Sequence, residues 1–377
     1  SRNFYTLCGK GKMEKVAEFE IGSIVKNSKE IQSLTIDFPE GVGDLPRQSL
    51  LCSSGFCSEE QIINEMSSRI YDRESGKNLS GKLSLPVLVA KGKQEGQTLV
   101  VTAGIHGDEY EGMEAIYRVF ENLDPEKMKG TFVALPVVTL PAFWLGIRNN
   151  PVDMKNMARV FPGSSEGTLS ERLAWKLLQS VLRHADLYID LHSSGRNYHM
   201  LTLCGYSTQG RQAEIASRAA YAFGAPVVWA HPETSPGRTL SAALDLEIPS
   251  LYTEAYGGGH VRFEDVECYT RGLANLLKFL DITALEQSGL PQGYNPRFLK
   301  GSGDMDVAIK CKKGGMFFRS VEVGDTVQAN DVLGIVRSLE GRIEEKIVAS
   351  QDSVVMLVRA TPRIYPGETA AALTFEG

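Results

Sequence analysis

The stretch "LVVTAGIHGDEYEG", residues 99–112, reads as a strand that breaks and passes into a helix. Leu99 to Ala103 show no alternation of apolar and polar residues. A strand of that kind is buried on both faces, which is the pattern of a parallel sheet's interior. Gly104 ends the run, and Asp108, Glu109 and Glu111 suit the positive end of a following helix. His106 and Glu109 therefore stand just past a strand's carboxyl end, where open α/β sheets place their sites.

Further short apolar runs surround this one: "LPVLVA" (85–90), "TFVALPVV" (131–138), "DLYIDLH" (186–192), "PVVWA" (226–230) and "PSLYTEA" (249–255). Helical spacing of apolar residues fills stretches such as 109–123, 168–184 and 210–223. The alternation predicts an α/β fold with a mixed, mostly parallel sheet flanked by helices. From about residue 300 glycines punctuate short strand-like pieces, which predicts a small all-β unit. The expected organisation is a partly legible N-terminal extension over 1–80, an α/β domain over 81–290 and a β domain over 300–377. Within the extension a helix is expected from about residue 59, with Ser58 as its cap and Gln61 reaching back.

The chain has 377 residues, 42% of them hydrophobic, and a formal net charge of −6. That length suits two or three domains. No basic excess is available to hold a phosphate backbone, so no nucleic-acid partner is expected. Nor is a membrane partner expected. The uncharged run "GTFVALPVVTLPAFWLGI" (130–147) approaches spanning length, but Pro136 and Pro141 interrupt it, and a strand over 131–135 followed by a proline-punctuated loop fits better. The six cysteines are scattered, and the one close pair, Cys52 and Cys57, has no companion pair to complete a metal knuckle. Reduced thiols, no recognisable secretory signal and a cytoplasmic location are the expectation.

The spacing of His106 and Glu109 suits a metal that takes imidazole nitrogen and carboxylate oxygen, yet it also suits an ordinary helix start. A third residue favours the metal: His192 ends the strand "ADLYIDLH" and so occupies the same topological position as His106. Asp190, two residues earlier, points to the same face and could hold His192 or line the same pocket. The other histidines, His184, His199, His231 and His260, do not close strands in this reading and are assigned to solvated or loop positions. Glu254 brings a carboxylate to the end of a further strand, just before three glycines. A base beside a metal site or an ordinary ion pair accounts for it equally. Between strand and helix, the loop "GIRNNPVDMKNMARVFPG" (146–163) supplies Arg148 and Arg159, which suit carboxylate or oxyanion binding as well as plain solvation.

Taken in order, "AGIHGDE" (103–109), "NPVDMKNMARVFPG" (150–163), "DLHSSG" (190–195) and "PSLYTEAYGGG" (249–259) resemble the succinylglutamate desuccinylase/aspartoacylase family of the zinc carboxypeptidase clan. The resemblance covers about 80–290. It implies a zinc carboxypeptidase-like fold, one Zn2+ per chain on His106, Glu109 and His192, and Glu254 as general acid/base. Arg148 falls where the family polarises the scissile carbonyl. Arg159 matches the arginine of the family's Asn-Leu-Asn-Arg-x-Phe segment, which binds the substrate carboxylate. Here the segment reads "NMARVF": Ala158 replaces the second asparagine, and Asn156 or Asn150 is the neighbouring donor that remains.

The tail "FFRSVEVGDTVQANDVLGIVRS" (317–338) is similar to lipoyl- and biotinyl-type barrel-sandwich modules. Its "RSLEGRIEEK" (337–346) lacks their lysine arrangement, so a non-carrier domain near the site's mouth is implied. The activity implied is hydrolysis of the linear amide of a small N-acyl amino acid or amine. The alternatives are a peptide-cleaving metallocarboxypeptidase and a non-catalytic ligand-binding relative. The expected partner is a small N-acylated molecule, with assembly into a homo-oligomer left open.

Overall fold

A computed structural model describes residues 19–37, 82–300 and 308–376. The helix expected from residue 59 and the cysteines Cys8, Cys52 and Cys57 lie outside the described residues.

At the centre run β3 (Gln94–Ala103), β4 (Lys129–Leu135), β5 (Leu187–Leu191) and β9 (Ser250–Glu254), all parallel, in the order β4-β3-β5-β9. An antiparallel hairpin, β1 (Ser28–Asp37) with β2 (Lys82–Lys91), extends the β4 edge. Beyond β9 come β7 (Leu203–Ser207), antiparallel to it, then β8 (Val227–His231) and β10 (Arg297–Lys300).

Both faces of the central sheet are covered, as the unbroken apolar runs require. Alternate strand residues Leu99, Val101 and Ala103 pack with Ile116 and Val119 of helix α1 (Glu111–Asn122) and with residues of two further helices. Val100, Val133 and Tyr188 point to the other face. There they meet Leu173 and Leu177 of a helix over Leu169–Ser180. That helix starts where its sequence calls for it: the Glu171 carboxylate reaches back to accept the Thr168 N–H at 2.8 Å. Gly104 has φ +62°, and a Cβ there would stand 3.0 Å from the Cα of Val137. The strand must end at this residue, and only glycine turns so sharply beside a neighbouring backbone.

Several local expectations need correcting. The proline-punctuated loop after β4 contains a short helix, Leu140–Leu145, with Pro141 in its first turn. Proline is tolerated there because the missing N–H has no intrahelical partner anyway. His199 and His231 are not solvated loop residues. His199 lies in β6 (Tyr198–Met200) and is 8% exposed; His231 ends β8 and is 5% exposed.

Among the described residues 308–376 there are strands and no helix. Four of these strands form a separate antiparallel sheet. The others join the large sheet, through the strand Thr369–Glu376 on β10 and the strand Ser353–Arg359 on β6. No helix among the described residues is long and apolar enough to cross a membrane. Cys204, Cys268 and Cys311 are free and buried.

Candidate metal centre and active site

Strand register assembles the site. Ala103 on β3 is level with Leu191 on β5, and Leu191 with Thr253 on β9. The next residues along the three strands are Gly104, His192 and Glu254, so the β3–α1 turn, His192 and Glu254 emerge side by side. His106, Glu109 and His192 bring one ligand atom each to within 4.8 Å of the others, and they are 2%, 2% and 9% exposed.

Hydrogen bonds orient both imidazoles. His106 Nδ1 is 2.8 Å from Glu109 Oε1, and its Nε2 is 2.9 Å from Asn156 Oδ1. The Ala158 N–H donates to that same Asn156 oxygen at 2.9 Å, which fixes the amide's orientation and makes His106 Nε2 the donor. Burial, followed by the positive charge of Arg148, lowers the His106 pKa to about 4, so the ring is neutral near pH 7. Its single N–H is therefore spent on Asn156, and the Nδ1 lone pair faces a carboxylate oxygen.

His192 mirrors this arrangement. Its Nδ1 is 2.9 Å from Glu109 Oε2 and its Nε2 is 3.0 Å from Asp190 Oδ2. Burial works against its charge, but the carboxylates of Asp190 and Glu109 outweigh burial and hold its pKa well above the usual value. Asp190 is fully buried and also accepts the hydroxyls of Thr102 at 2.7 Å and Thr239 at 2.7 Å. Each imidazole thus binds an oxygen with Nε2 and presents Nδ1 to the cluster, the outer-sphere arrangement that metal-binding histidines use. Two imidazole nitrogens and a carboxylate form a donor set that suits zinc.

Glu254 ends β9, and its buried Oε2 has no hydrogen-bond partner among the described residues. Burial, and next the charge of Glu109, raises its carboxyl to about 8. Arg148 donates from Nη1 to Glu109 Oε1 at 3.0 Å, and its side chain is 46% exposed, which places it at the rim. Arg159 lies on the turn Met157–Arg159 and donates from Nη1 to the Ala158 carbonyl at 3.0 Å.

Of the two asparagines, Asn150 departs from the expectation. Asn150 is fully buried, donates to Ser170 Oγ and accepts the Val152 N–H, so it is a loop brace and not a donor to substrate. Asn156 turns its oxygen toward His106, which leaves its amide nitrogen for a ligand. Thr102 and Thr239 were not singled out from the sequence. No local signal marks Thr239, because its link to Asp190 exists only once the helix Thr239–Asp245 is docked beside β5.

Residues 95–280 match the succinylglutamate desuccinylase/aspartoacylase catalytic domain. The N-alpha-acetyl-L-2,4-diaminobutyric acid deacetylase of Halomonas elongata is 28% identical over 298 residues, 78% of this chain and 86% of that protein. Among solved structures, the succinylglutamate desuccinylase/aspartoacylase of Rhodobacter sphaeroides superposes with a TM-score of 0.71 at 27% identity, over 81% of this chain and 93% of that one. The product-bound ectoine utilization protein EutE (DoeB) of Ruegeria pomeroyi gives 0.73 at 26%, over 81% and 92%. Residues 95–280 of this chain thus form a catalytic domain of the succinylglutamate desuccinylase/aspartoacylase type.

Proposed function

We propose that the protein is a zinc-dependent hydrolase of linear amide bonds that removes the acyl group from a small N-acylated amino acid or amine. The observation that carries this is the buried cluster itself: His106, Glu109 and His192 bring one ligand atom each to within 4.8 Å of the others, and outer oxygens of Asn156 and Asp190 hold the far nitrogens of both imidazoles. His106, Glu109 and His192 would hold that ion. Zinc so bound supplies Lewis acidity, bringing the pKa of water to ~7 and polarising a carbonyl.

The chain's own groups supply the remaining steps. Glu254 takes a proton from the attacking water and returns it to the leaving amine, since a carboxyl raised by burial is poised between acid and base near neutrality. The guanidinium of Arg148, at the rim, stabilises the oxyanion that forms on the scissile carbonyl. Arg159 binds the substrate's carboxylate, and the Asn156 amide nitrogen is placed to assist in place of the asparagine missing at Ala158.

The Halomonas relative is named for N-alpha-acetyl-L-2,4-diaminobutyric acid, so that compound heads the substrate panel, with N-acetyl, N-succinyl and N-formyl amino acids and short peptides beside it. Release of free amine from the acylated amino acids but not from peptides supports the reading. Peptide cleavage alone points to a carboxypeptidase. Glu254→Gln should retain zinc and lose turnover by about 10²–10⁴-fold; normal turnover would place the base elsewhere.

A further inference from the structure

Asp108 stands between two of the candidate ligands and has no part in the mechanism above. It is 5% exposed, and its Oδ2 accepts the backbone N–H of Arg196 at 3.1 Å. The carbonyl of the same peptide unit, on Gly195, accepts the N–H groups of Gly258 at 2.8 Å and Gly259 at 3.2 Å. One peptide plane is therefore gripped at its nitrogen by the His106–Glu109 turn and at its oxygen by the loop that follows Glu254. It lies three residues beyond His192. Gly195 has φ +63°, and a Cβ there would stand 2.8 Å from Asp108 Oδ2, so the clasp is closed tightly enough to require glycine.

Neighbouring bonds extend the junction. The Ser193 N–H donates to Glu109 Oε2 at 3.2 Å. The backbones of His192 and Ala255 exchange a hydrogen bond, as do those of Ser194 and Ala255. The three loops that carry the candidate ligands and base thus meet at Gly195–Arg196, and Asp108 is the side chain by which the first loop holds that peptide.

Resting on the metal-site reading above, we propose that Asp108 is a positioning residue that sets the separation between His192 and the His106–Glu109 pair, and so tunes metal affinity without touching the metal. An acid suits the place because a carboxylate forms a stronger hydrogen bond to a peptide N–H than a neutral acceptor does. Asparagine keeps an oxygen in the same position and alanine does not.

The test titrates metal-free wild type, Asp108→Ala and Asp108→Asn with zinc against a chromophoric chelator. The cobalt(II) spectra of the three proteins and hydrogen exchange at the Arg196 amide without metal are recorded alongside. Losing an outer-sphere partner weakens metal binding by about 10–100-fold. Asp108→Ala should show that loss with a broadened cobalt spectrum, and Asp108→Asn should recover most of the affinity and the wild-type spectrum.

Equal affinity in Asp108→Ala and wild type overturns the proposal. So does an Asp108→Asn protein as weak as Asp108→Ala, because charge and not the bond would then matter. Should the alanine variant fail to fold, the Arg196 amide decides: slow exchange in metal-free wild type and Asp108→Asn supports the clasp, and fast exchange in wild type overturns it. A wild type that binds no zinc while its Arg196 amide stays protected overturns the metal-site reading itself, and with it the role given to Asp108.

Discussion

Replacing Asp190 with asparagine changes one buried charge and leaves the shape of the side chain intact. The carboxylate accepts three hydrogen bonds, from Thr102 Oγ1 on Oδ1 and from Thr239 Oγ1 and His192 Nε2 on Oδ2. Asparagine has one acceptor oxygen. If that oxygen faces His192, the amide nitrogen faces Thr102, whose hydroxyl can turn to accept it. The bond to His192 survives, but without the carboxylate's charge.

A hydrogen bond to a charged group contributes about 1.5–3 kcal/mol, against about 1 kcal/mol between neutral partners. The difference of about 0.5–2 kcal/mol corresponds to roughly 2–30-fold in an equilibrium constant. Asp190→Asn should therefore weaken zinc binding by up to roughly 30-fold. Asp190→Ala should lie near or beyond the top of that range, because the His192 imidazole then loses its anchor altogether. Competition against a chromophoric chelator measures both variants. Unchanged affinity in Asp190→Ala would show that His192 needs no orientation from this carboxylate, and the outer-sphere account of the site would fail.

Arg159→Ala should raise KM for a substrate bearing a carboxylate at least about tenfold, with a smaller change in kcat, because the lost interaction is made equally in ground and transition states; a fall in kcat at constant KM would assign Arg159 to the chemistry. Leu187, fully buried on β5 against α1 and its neighbours, should cost about 2–5 kcal/mol on truncation to alanine, read from urea unfolding. A third prediction concerns His199, whose burial, with Arg319 nearby, depresses its pKa to about 4 from an ordinary 6.5; Glu322, His260 and the Tyr256 backbone also face it. The unfolded chain takes up that proton more readily, so stability should decline as pH falls from about 6.5 toward 4 and not change further from this group below that. His199→Phe should flatten that part of the stability profile, and an unaltered slope would show that other groups set it.

The centre of the fold was legible because its strands are unmixed: Leu99–Ala103 and Leu187–Leu191 carry their burial in composition alone. The candidate site residues are legible for a related reason, since His192 and Glu254 close apolar strands at their carboxyl ends and His106 and Glu109 follow just past the end of another. What sequence spacing could not supply is register. Only the pairing of Ala103 with Leu191 and of Leu191 with Thr253 brings those ends level. The outer sphere was least legible. Asn156 reads as a substrate donor in a one-dimensional motif, and its oxygen turns to His106 only because the Ala158 N–H pins the amide. Asp108 looked like an ordinary helix-start acid, since its partner at Arg196 lies 88 residues away. His199 escapes a reading of the sequence because β6 takes its position from the strand Ser353–Arg359, far off in the chain, and His231 because β8 runs one residue past the apolar stretch that predicts it.

If the His106–Glu109–His192 cluster holds a metal for amide hydrolysis, turnover depends on that ion, and this dependence can be read in a single preparation. It is tested most directly by measuring amine release from an N-acetyl amino acid panel in one preparation as purified, after chelator dialysis, and after return of one equivalent of zinc. Turnover should disappear on dialysis and return at one zinc per chain, with no recovery in His106→Ala. Turnover that survives metal removal, or that zinc restores equally in His106→Ala, would contradict it.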